Sequence, residues 1–384
     1  MGDTDGSTAT TTTRSPLHDR HVAAGARMVP FAGWLMPLEY AGGGVLAEHG
    51  AVRAAVGLFD VSHLGTLLVR GAGSVAVLDS LLTADMGALA PGAAQYTLLC
   101  RDDGGVVDDL IAYRLGPDEV LLVPNAANAD VVLREVRAAA RAAGSDGTVV
   151  VENLHADRAL LAVQGPRSTQ VMAEVGLPHE MPYMHLQRTD GRAEPSGAVL
   201  VCRTGYTGEH GYEVVVSSAQ AAALWDRLAA AVSEHAGRLC GLGARDTLRT
   251  EMGYPLHGQD LSQQITPVQA RLGWAVGWDK PVFRGRSALI AERSRGPSRR
   301  LLGLLCQDRG VPRPGMPVRD QAGRELGYLT SGTFSPTLRT GIALALLTTG
   351  PHAPQEGDEV LVDIRGRTCR ASVVRPPFVE SHVR

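Results

Sequence analysis

The chain lacks the features that mark several large classes of protein. Its charges nearly balance, with 37 Lys and Arg against 40 Asp and Glu and a formal net charge of −3 at pH 7, which gives no electrostatic case for a nucleic-acid partner, since such a partner needs a basic face. No apolar run approaches the roughly 18 residues that a membrane helix needs, and the amino terminus has no apolar segment typical of a secretory signal. We therefore expect a cytoplasmic protein with neither a membrane nor a nucleic-acid partner.

Lysine, cysteine and aromatic residues are also scarce. Lys280 is the only lysine and lies in a polar turn, which disfavours a Schiff-base role because such lysines need an activating environment. The five cysteines form no C-x-x-C pair, so neither a zinc knuckle nor a redox pair is predicted. Aromatic residues make up only 4%, so small aliphatic residues must build the core. The heavy use of arginine and alanine is typical of a GC-rich bacterial genome.

Several familiar catalytic motifs are missing as well. The twelve histidines include no H-x-x-x-H or H-E-x-x-H spacing, so we predict no metal site. His49 and His63 are interpreted as structural, because a general base also needs a partner within reach. Residues 71–76 read G-x-G-x-x-A, but no long parallel βαβ unit follows them. We interpret that segment as the start of a helix with Ser74 as its N-cap.

The 384 residues predict two or three domains. Residues 1–16 are polar and threonine-rich, and are predicted to be disordered because they bury too little apolar surface. Residues 28–40 combine Pro and Gly with large apolar side chains, which favours a buried irregular loop. Residues 61–145 alternate short strands and helices and predict a compact α+β unit. From residue 300 onward, short β runs between Gly and Pro turns predict a small barrel or sandwich.

Two adjacent carboxylates, Asp108 and Asp109, interrupt an otherwise apolar strand. Neighbouring side chains of a strand point to opposite faces. One carboxylate can therefore face solvent or cap the turn while the other points into the core or a cleft, where it needs a hydrogen-bonding partner. A pair that caps the turn is an equally good interpretation of this spacing alone.

A second group lies at residues 203–213, where three glycines and two tyrosines surround two glutamates. The glycines permit tight turns and close backbone approach. Glu213 begins an apolar strand, and a carboxylate there can accept two parallel N–H donors, as on the edge of a pterin. A hairpin with a salt-bridged glutamate is the alternative.

A third group lies at residues 241–253, where a glycine turn opens a helix. Arg245 falls in the first turn of that helix, where the helix dipole disfavours a cation. An arginine placed against this preference favours a role in binding an anionic group.

Together these three groups resemble the aminomethyltransferase, or T-protein, family of the glycine cleavage system. The likeness is colinear from about residue 17 to residue 378. Further similar segments occur in the same order at residues 28–34, 57–63, 125–128, 163–166 and 330–338.

The resemblance implies an α+β fold in which three domains form a ring around a folate-binding channel, the last being a small β-barrel. Its implied domains are residues 17–60 with 146–285, residues 61–145 carrying Asp109, and residues 290–384. It also implies an activity in which tetrahydrofolate takes the methylene carbon from an aminomethyl group on the lipoyl arm of H-protein, releasing ammonia. No metal is implied.

The resemblance also assigns site residues. The essential aspartate of the family falls on Asp109, which would act at the folate amines, and the pterin-binding glutamate falls on Glu213. The other positions that match the folate pocket are Tyr96, Tyr113, Asn125, Tyr206 and Arg245.

Four positions depart from the family pattern. They are Leu35, Leu64, His257 and Gln269, where Glu, Met, Tyr and Glu are usual. These departures keep a second hypothesis open, in which a related folate-dependent enzyme moves a methyl or hydroxymethyl unit to or from another small molecule. A third hypothesis, a folate-binding protein without activity, is disfavoured by Asp109 and the full-length C-terminal domain.

Overall fold

The computed structural model describes residues 12–145, 147–189 and 199–384. The helices of this part of the chain are α1 (His18–Ala23), α2 (Gly44–Ala54), α3 (Ser74–Leu81), α4 (Ala129–Ala142), α5 (Ser168–Glu174), α6 (Ser218–Glu234), α7 (Leu242–Glu251) and α8 (Arg286–Arg295), with short 3-10 turns at Ala126–Asn128 and Gly273–Ala275. The strands are β1 (Thr13–Arg14), β2 (Ala26–Phe31), β3 (Trp34–Tyr40), β4 (Gly57–Asp60), β5 (Leu67–Arg70), β6 (Ala94–Cys100), β7 (Val106–Gly116), β8 (Glu119–Val123), β9 (Val150–Asn153), β10 (Arg158–Gln164), β11 (Leu186–Arg188), β12 (Leu200–Cys202), β13 (Gly211–Ser217), β14 (Arg238–Cys240), β15 (Arg299–Cys306), β16 (Pro317–Arg319), β17 (Glu325–Ser335), β18 (Thr340–Thr348), β19 (Glu359–Ile364) and β20 (Arg367–Val374).

A six-stranded sheet in the order β11-β12-β13-β10-β4-β14 forms the first layer. Its strands pair antiparallel except β14, which runs parallel to β4. Along β10, Leu161 packs in one buried cluster with Trp225 of α6, while Leu160 packs in another with Tyr113 of β7. This sheet is therefore buried on both faces, which explains why its strands are apolar throughout rather than alternating.

A five-stranded antiparallel sheet in the order β6-β7-β8-β5-β9 packs beside the first. Helices α3 and α4 cover one of its faces through a cluster that includes Leu78 and Val132. Strand β9 pairs with β5 at residues 150–153. A boundary near residue 153 accounts for this sheet better than the predicted one at residue 145.

The C-terminal strands close into a six-stranded barrel in the order β15-β18-β17-β16-β19-β20. Its interior is filled by small and branched aliphatic side chains such as Leu304, Val318 and Ala345. Leu344 and Leu346 pack instead in a cluster with Leu98 of β6. The α+β class and the barrel predicted from the sequence are thus confirmed, and β16 is a strand that the sequence pattern did not indicate.

Residues 28–40 form an antiparallel hairpin of β2 and β3, so the prediction of an irregular loop was wrong. The turn lies at Ala32 and Gly33, whose φ angles are +48° and +83°. Positive φ at both central residues suits the two-residue turns that match strand twist. The prolines on either side of this turn hid the strands from the sequence pattern.

The predicted disordered segment, residues 1–16, lies mainly outside the described residues, but its last part needs a correction. Thr13 and Arg14 pair in parallel with β3. Ser15 is buried and donates a hydrogen bond to the Asp60 carboxylate. A buried carboxylate needs donors, and this contact orders residues 13–15.

Two smaller predictions also change. The helix α3 begins after Gly73 in a left-handed conformation, and the buried Ser74 hydroxyl makes no hydrogen bond, so Ser74 is not the N-cap. Lys280 is buried, and its Nζ donates to the carbonyl oxygens of Asp79, Leu82 and Ala84 at 2.6 to 2.8 Å. This lysine therefore binds the carboxyl end of α3, where a helix dipole favours a cation.

Within the described ranges, every helix is too short or too polar to cross a bilayer.

Candidate active site

The site residues predicted from the sequence meet at one cavity of about 770 Å³. Strands β6 and β7 form one wall, the segment before β13 forms a second, and α7 with the loop after it forms a third. This volume lies in the range of roughly 300–1,000 Å³ that small-molecule sites occupy. All seven predicted residues line it: Tyr96, Asp109, Tyr113, Asn125, Tyr206, Glu213 and Arg245.

The two adjacent carboxylates take different positions. Asp108 is fully buried, whereas Asp109 is half-buried on the cavity wall. Asp108 accepts hydrogen bonds from the backbone N–H of Asn125 at 3.0 Å and from the side-chain amides of Asn125 and Asn128 at 2.9 and 2.7 Å. The pair therefore does not cap its own turn: Asp108 anchors the segment after β8, and Asp109 faces the cleft.

Asp109 is held by one donor on each carboxylate oxygen. The Tyr96 hydroxyl donates to Oδ2 at 2.9 Å, and the Asn125 amide donates to Oδ1 at 2.8 Å. A carboxylate has about four acceptor positions. The two that remain can accept protons from a ligand in the cavity.

Burial raises the pKa of both carboxyl groups. For Asp108, burial and then the nearby Asp109 charge raise the pKa to about 8, against the amide donors from Asn128 and Asn125. For Asp109, burial also raises the pKa, against the hydrogen bond from Tyr96. Two close carboxyl groups cannot both ionise readily, so the Asp109 charge opposes ionisation of Asp108. A raised carboxyl pKa suits general acid–base catalysis.

Glu213 points into the cavity from the six-stranded sheet. The hydroxyls of Tyr113 and Thr204 both donate to its Oε2, at 3.1 and 2.6 Å. Among the described residues, no donor reaches Oε1, so that oxygen is left for a ligand. The proton of the Tyr113 hydroxyl is thus donated to Glu213, and Tyr113 acts on a ligand mainly through Glu213.

The segment before β13 reaches this geometry through close packing at Gly205. A Cβ at this position would lie 2.0 Å from Oε1 of the buried Gln164. The Gln164 amide in turn donates to the carbonyls of Thr204 and Tyr212 at 3.1 and 3.2 Å. Only a glycine lets the backbone approach this closely, and the result is a fixed frame for Glu213.

Arg245 is a cation without a carboxylate partner in the described part of the chain. Its guanidinium lies 4.6 Å from the centre of the Tyr206 ring, a cation–π contact. Burial lowers the pKa of Arg245, against the raising effect of the Glu213 charge. The Tyr206 hydroxyl donates to the carbonyl of Pro255, which orients the ring beneath the guanidinium. The arrangement provides a binding point for an anionic ligand group.

Sequence reasoning missed two contributors to the cavity wall. Trp274 is 71% exposed, and its ring stacks on Tyr96 with centroids 5.3 Å apart. Asn128, three residues after Asn125, binds Asp108 and His257. The spacing of the two asparagines is visible in the sequence, but an exposed tryptophan beside a cavity has no local signal.

The four departures from the family pattern fall into two groups. Leu64 and His257 line the cavity itself. Leu35 lies half-buried on β3 opposite Pro30, and Gln269 donates to Glu292 at 3.0 Å. The first two can therefore act on the ligand site, whereas the others stabilise the surrounding structure. In the described ranges, no cluster of three or more His, Cys, Asp or Glu side chains is arranged to hold a metal ion.

Two family models cover most of the chain. The GCVT N-terminal domain matches residues 17–280, and the glycine cleavage T-protein C-terminal barrel domain matches residues 299–380. The expected ligand-site residues all fall within the first match.

Full-length relatives agree with the family models. The aminomethyltransferase of Parafrankia sp. (strain EAN1pec) is 57% identical over 371 residues, which are 97% of this chain and 99% of that protein. The aminomethyltransferase of Mycobacterium tuberculosis (strain ATCC 25618 / H37Rv) is 54% identical over 365 residues, 95% and 96% of the two chains. The crystal structure of glycine cleavage system aminomethyltransferase T from Bartonella henselae matches with a TM-score of 0.88 and 36% identity, over 97% of this chain and 99% of that one. These matches confirm the resemblance, and the chain belongs to the glycine cleavage T-protein family.

Proposed function

We propose that this protein transfers the methylene carbon of an aminomethyl group, carried on the dihydrolipoyl arm of H-protein, to tetrahydrofolate with release of ammonia. Relatives named aminomethyltransferase at 54–57% identity over nearly the full length support the activity. The assignment of the active site rests on one observation: Asp109, Glu213 and Arg245 line the same cavity. The proposal includes a cytoplasmic location.

Asp109 and Glu213 can bind different parts of a pterin. Asp109 and Tyr113 lie on the same strand four residues apart, which corresponds to roughly 13 Å. The Tyr113 hydroxyl contacts Glu213, so Asp109 and Glu213 offer carboxylates at two separate places in the same cavity. Glu213 Oε1 would accept from the amino and ring N–H edge, and Asp109 would lie at the nitrogens that receive the carbon.

Arg245 and Trp274 complete the proposed fit. Folate carries an anionic glutamate tail, and Arg245 offers a cation that no carboxylate of the described residues neutralises. The exposed Trp274 ring, stacked on Tyr96, provides an aromatic face at the same wall as Asp109. Binding would therefore combine charged side chains with an aromatic face of the cavity wall.

In the proposed reaction, Asp109 moves protons while the rest of the site holds the reactants. The first folate nitrogen bonds the methylene carbon as the carbon–nitrogen bond of the aminomethyl group breaks, and the amine leaves as ammonia after taking a proton. The carbon–sulfur bond then breaks as the second folate nitrogen bonds the carbon, and the sulfur takes a proton to become the free dihydrolipoyl thiol. Two folate N–H protons are consumed, one for ammonia and one for the thiol, so the step balances without an oxidant. Asp109, whose pKa is raised by burial, can receive and return one proton in this sequence.

The test is a purified-protein assay with tetrahydrofolate and aminomethylated H-protein, following ammonia and 5,10-methylenetetrahydrofolate. Stoichiometric release of both products is the expected outcome. Binding of tetrahydrofolate without turnover would contradict the proposal. It would then favour a related one-carbon transferase that acts on another small molecule, with Leu64 and His257 as the positions where the cavity has changed.

A further inference from the structure

His257 lies at the edge of the cavity, in the loop after α7, and connects that loop to the start of β7. Its Nε2 lies 3.3 Å from the carbonyl oxygen of Val106. The backbone N–H of Val106 in turn lies 3.0 and 3.1 Å from the carbonyls of Ser262 and Ile265. The loop that carries His257 is thus fixed to β7 two and three residues before Asp108 and Asp109.

The hydrogen bonds around His257 run in one direction. A carbonyl can only accept, so Nε2 carries the proton and donates to Val106, which leaves Nδ1 as an acceptor. Asn128 Nδ2 lies 3.0 Å from that Nδ1 and 2.7 Å from Asp108 Oδ1. Both acceptors are matched by the two amide protons of Asn128, and this fixes the orientation of the amide.

The chain of contacts continues to the cavity. Asp108 Oδ1 also accepts from Asn125 Nδ2 at 2.9 Å, and the same nitrogen donates to Asp109 Oδ1 at 2.8 Å. Because Asp108 is fully buried, its position depends on these donors rather than on water. Asn128 and Asn125 both donate to Asp108 Oδ1, and Asn125 also donates to Asp109. A change in the orientation of the Asn128 amide therefore affects Asp108 and Asn125, and through Asn125 the position of the Asp109 carboxylate.

We propose that His257 is a positioning residue for Asp109, which acts by accepting an amide proton of Asn128 and so fixing the Asn128–Asp108–Asn125 network. This inference rests on the proposed function for its kinetic consequences. Without an acceptor at Nδ1, one amide proton of the half-buried Asn128 loses its protein partner, and the amide is no longer restrained to face Asp108. A phenol ring, as in the tyrosine usual at this position, has carbon where His257 has Nδ1 and cannot replace this contact.

Two substitutions of similar shape distinguish the role of Nδ1 of His257 from the role of its Nε2. In His257→Asn, the amide oxygen can occupy the place of Nδ1 and still accept from Asn128. In His257→Gln, the longer amide can reach the place of Nε2 and donate to Val106, but it leaves no acceptor for Asn128. Thermal unfolding of both variants establishes that each is folded before activity is compared.

The kinetic test measures kcat and KM for tetrahydrofolate in both variants and the wild type. We expect His257→Gln to lower kcat about 10- to 100-fold with KM changed less than about threefold, since a displaced catalytic group costs rate more than binding. We expect His257→Asn to stay within about threefold of wild type. Equal kcat values in the two variants would overturn the proposal. A rise in KM alone would also overturn it, because it would show that His257 contacts the ligand directly.

A substrate-free readout keeps this inference separate from the proposed reaction. Titration of the aspartate carboxyl groups by ¹³C NMR, assigned with Asp108→Asn and Asp109→Asn, reports the network without any turnover. Loss of the Asn128 donor in His257→Gln should move the Asp108 titration to higher pH, while His257→Asn should match wild type. Identical titrations in all three proteins would refute the positioning role even if the enzyme is active. A shift confined to His257→Gln would support the role even if the proposed substrates do not react.

Discussion

Asp109 is the residue on which the proposed chemistry depends most directly. It faces the cavity with one protein donor on each oxygen, and burial raises its pKa. The buried Asp108 beside it takes backbone and side-chain donors instead. Asp108 thus anchors a loop while Asp109 faces the ligand site, because neighbouring side chains of a strand point to opposite faces.

Replacement of Asp109 by asparagine should lower turnover by about 10²- to 10⁴-fold, the usual contribution of general acid–base catalysis. The fold should persist, because Asn keeps an oxygen for one of the two donors. Single-turnover release of 5,10-methylenetetrahydrofolate is the measurement, with thermal unfolding as the control for folding. Near-wild-type turnover would remove Asp109 from the mechanism.

Replacement of Glu213 by glutamine should weaken binding of tetrahydrofolate about 10- to 100-fold, as expected for a lost hydrogen bond to a charged group. The Gln oxygen would stay with the donors of Tyr113 and Thr204. The amide NH₂ would then face the N–H edge of the ligand. Calorimetric titration measures this affinity, and Thr204→Val is the matched control because it removes a supporting donor and keeps the carboxylate. An affinity unchanged in Glu213→Gln would exclude this residue from the ligand edge.

At the scale of elements, the segment between β12 and β13 places Glu213 by backbone packing. Gly205 and Gly211 both lie against the Gln164 amide, and a Cβ added to either glycine would approach the atoms of that amide to 2.0 and 2.4 Å, respectively. Thr207 also donates to Gln164 Oε1 at 2.8 Å. This one buried amide therefore organises the turn from which Thr204 and Glu213 reach the ligand.

Substitution of Gly205 by alanine should destabilise the fold by about 1–3 kcal/mol, as overpacking does, and weaken folate binding together with it. The new methyl group must displace Gln164 and so disturb the turn. Gly50→Ala is the matched control: it lies exposed in α2 with nothing within 4 Å of an added Cβ, and alanine should stabilise a helix interior by roughly 0.5–1 kcal/mol. Urea unfolding and calorimetry measure the two effects. Equal stability of the two variants would show that the close approach at Gly205 is unimportant.

At the scale of the whole molecule, a buried polar cluster around Glu251 joins the barrel to the rest of the chain. Glu251 of α7 accepts from Arg53 of α2 at 2.8 Å and from Ser335 of β17 at 2.5 Å. A second contact of this kind runs from Arg249 to Ser331 at 3.0 Å. Because the same helix carries Arg245, these contacts fix the barrel relative to the cavity.

Stability should fall in acid because of Glu251. Burial alone would raise its pKa, but hydrogen bonds from His49, Ser335 and Arg53 outweigh it and lower the pKa to about 2. A lowered pKa means that the unfolded chain binds the proton more tightly, so the stabilisation, roughly 3 kcal/mol, is present above about pH 4.5. It is lost as the pH falls toward about 2.

The measurement is the free energy of unfolding in urea between pH 3 and pH 7 for wild type and Glu251→Gln. The difference between the two proteins should be largest at neutral pH and shrink as the pH falls. A constant difference across this range would contradict the linkage to Glu251.

The class of fold, the C-terminal barrel, the family and the seven positions that line the cavity could all be predicted from the amino-acid sequence. The class of fold and the barrel follow from the alternation of short strands and glycine turns, whereas the family and the seven positions follow from the resemblance of colinear motifs to a known family. The sequence did not predict the hairpin at residues 28–40, the ordered structure of residues 13–15 or the buried position of Lys280. In the last two cases the deciding partner lies far along the chain, as Asp60 does for Ser15 and Asp79 does for Lys280.

The hydrogen-bond partners of the site residues are visible only in the folded chain. It assigned Asp108 to the loop anchor and Asp109 to the cavity, made Tyr113 a support for Glu213, and brought His257 to Asn128 across 129 positions of sequence. Local patterns fix which face of a strand is buried, but hydrogen-bond partners are chosen by the packing of separate elements. The physical reason is that a buried polar group must find a partner wherever the fold provides one.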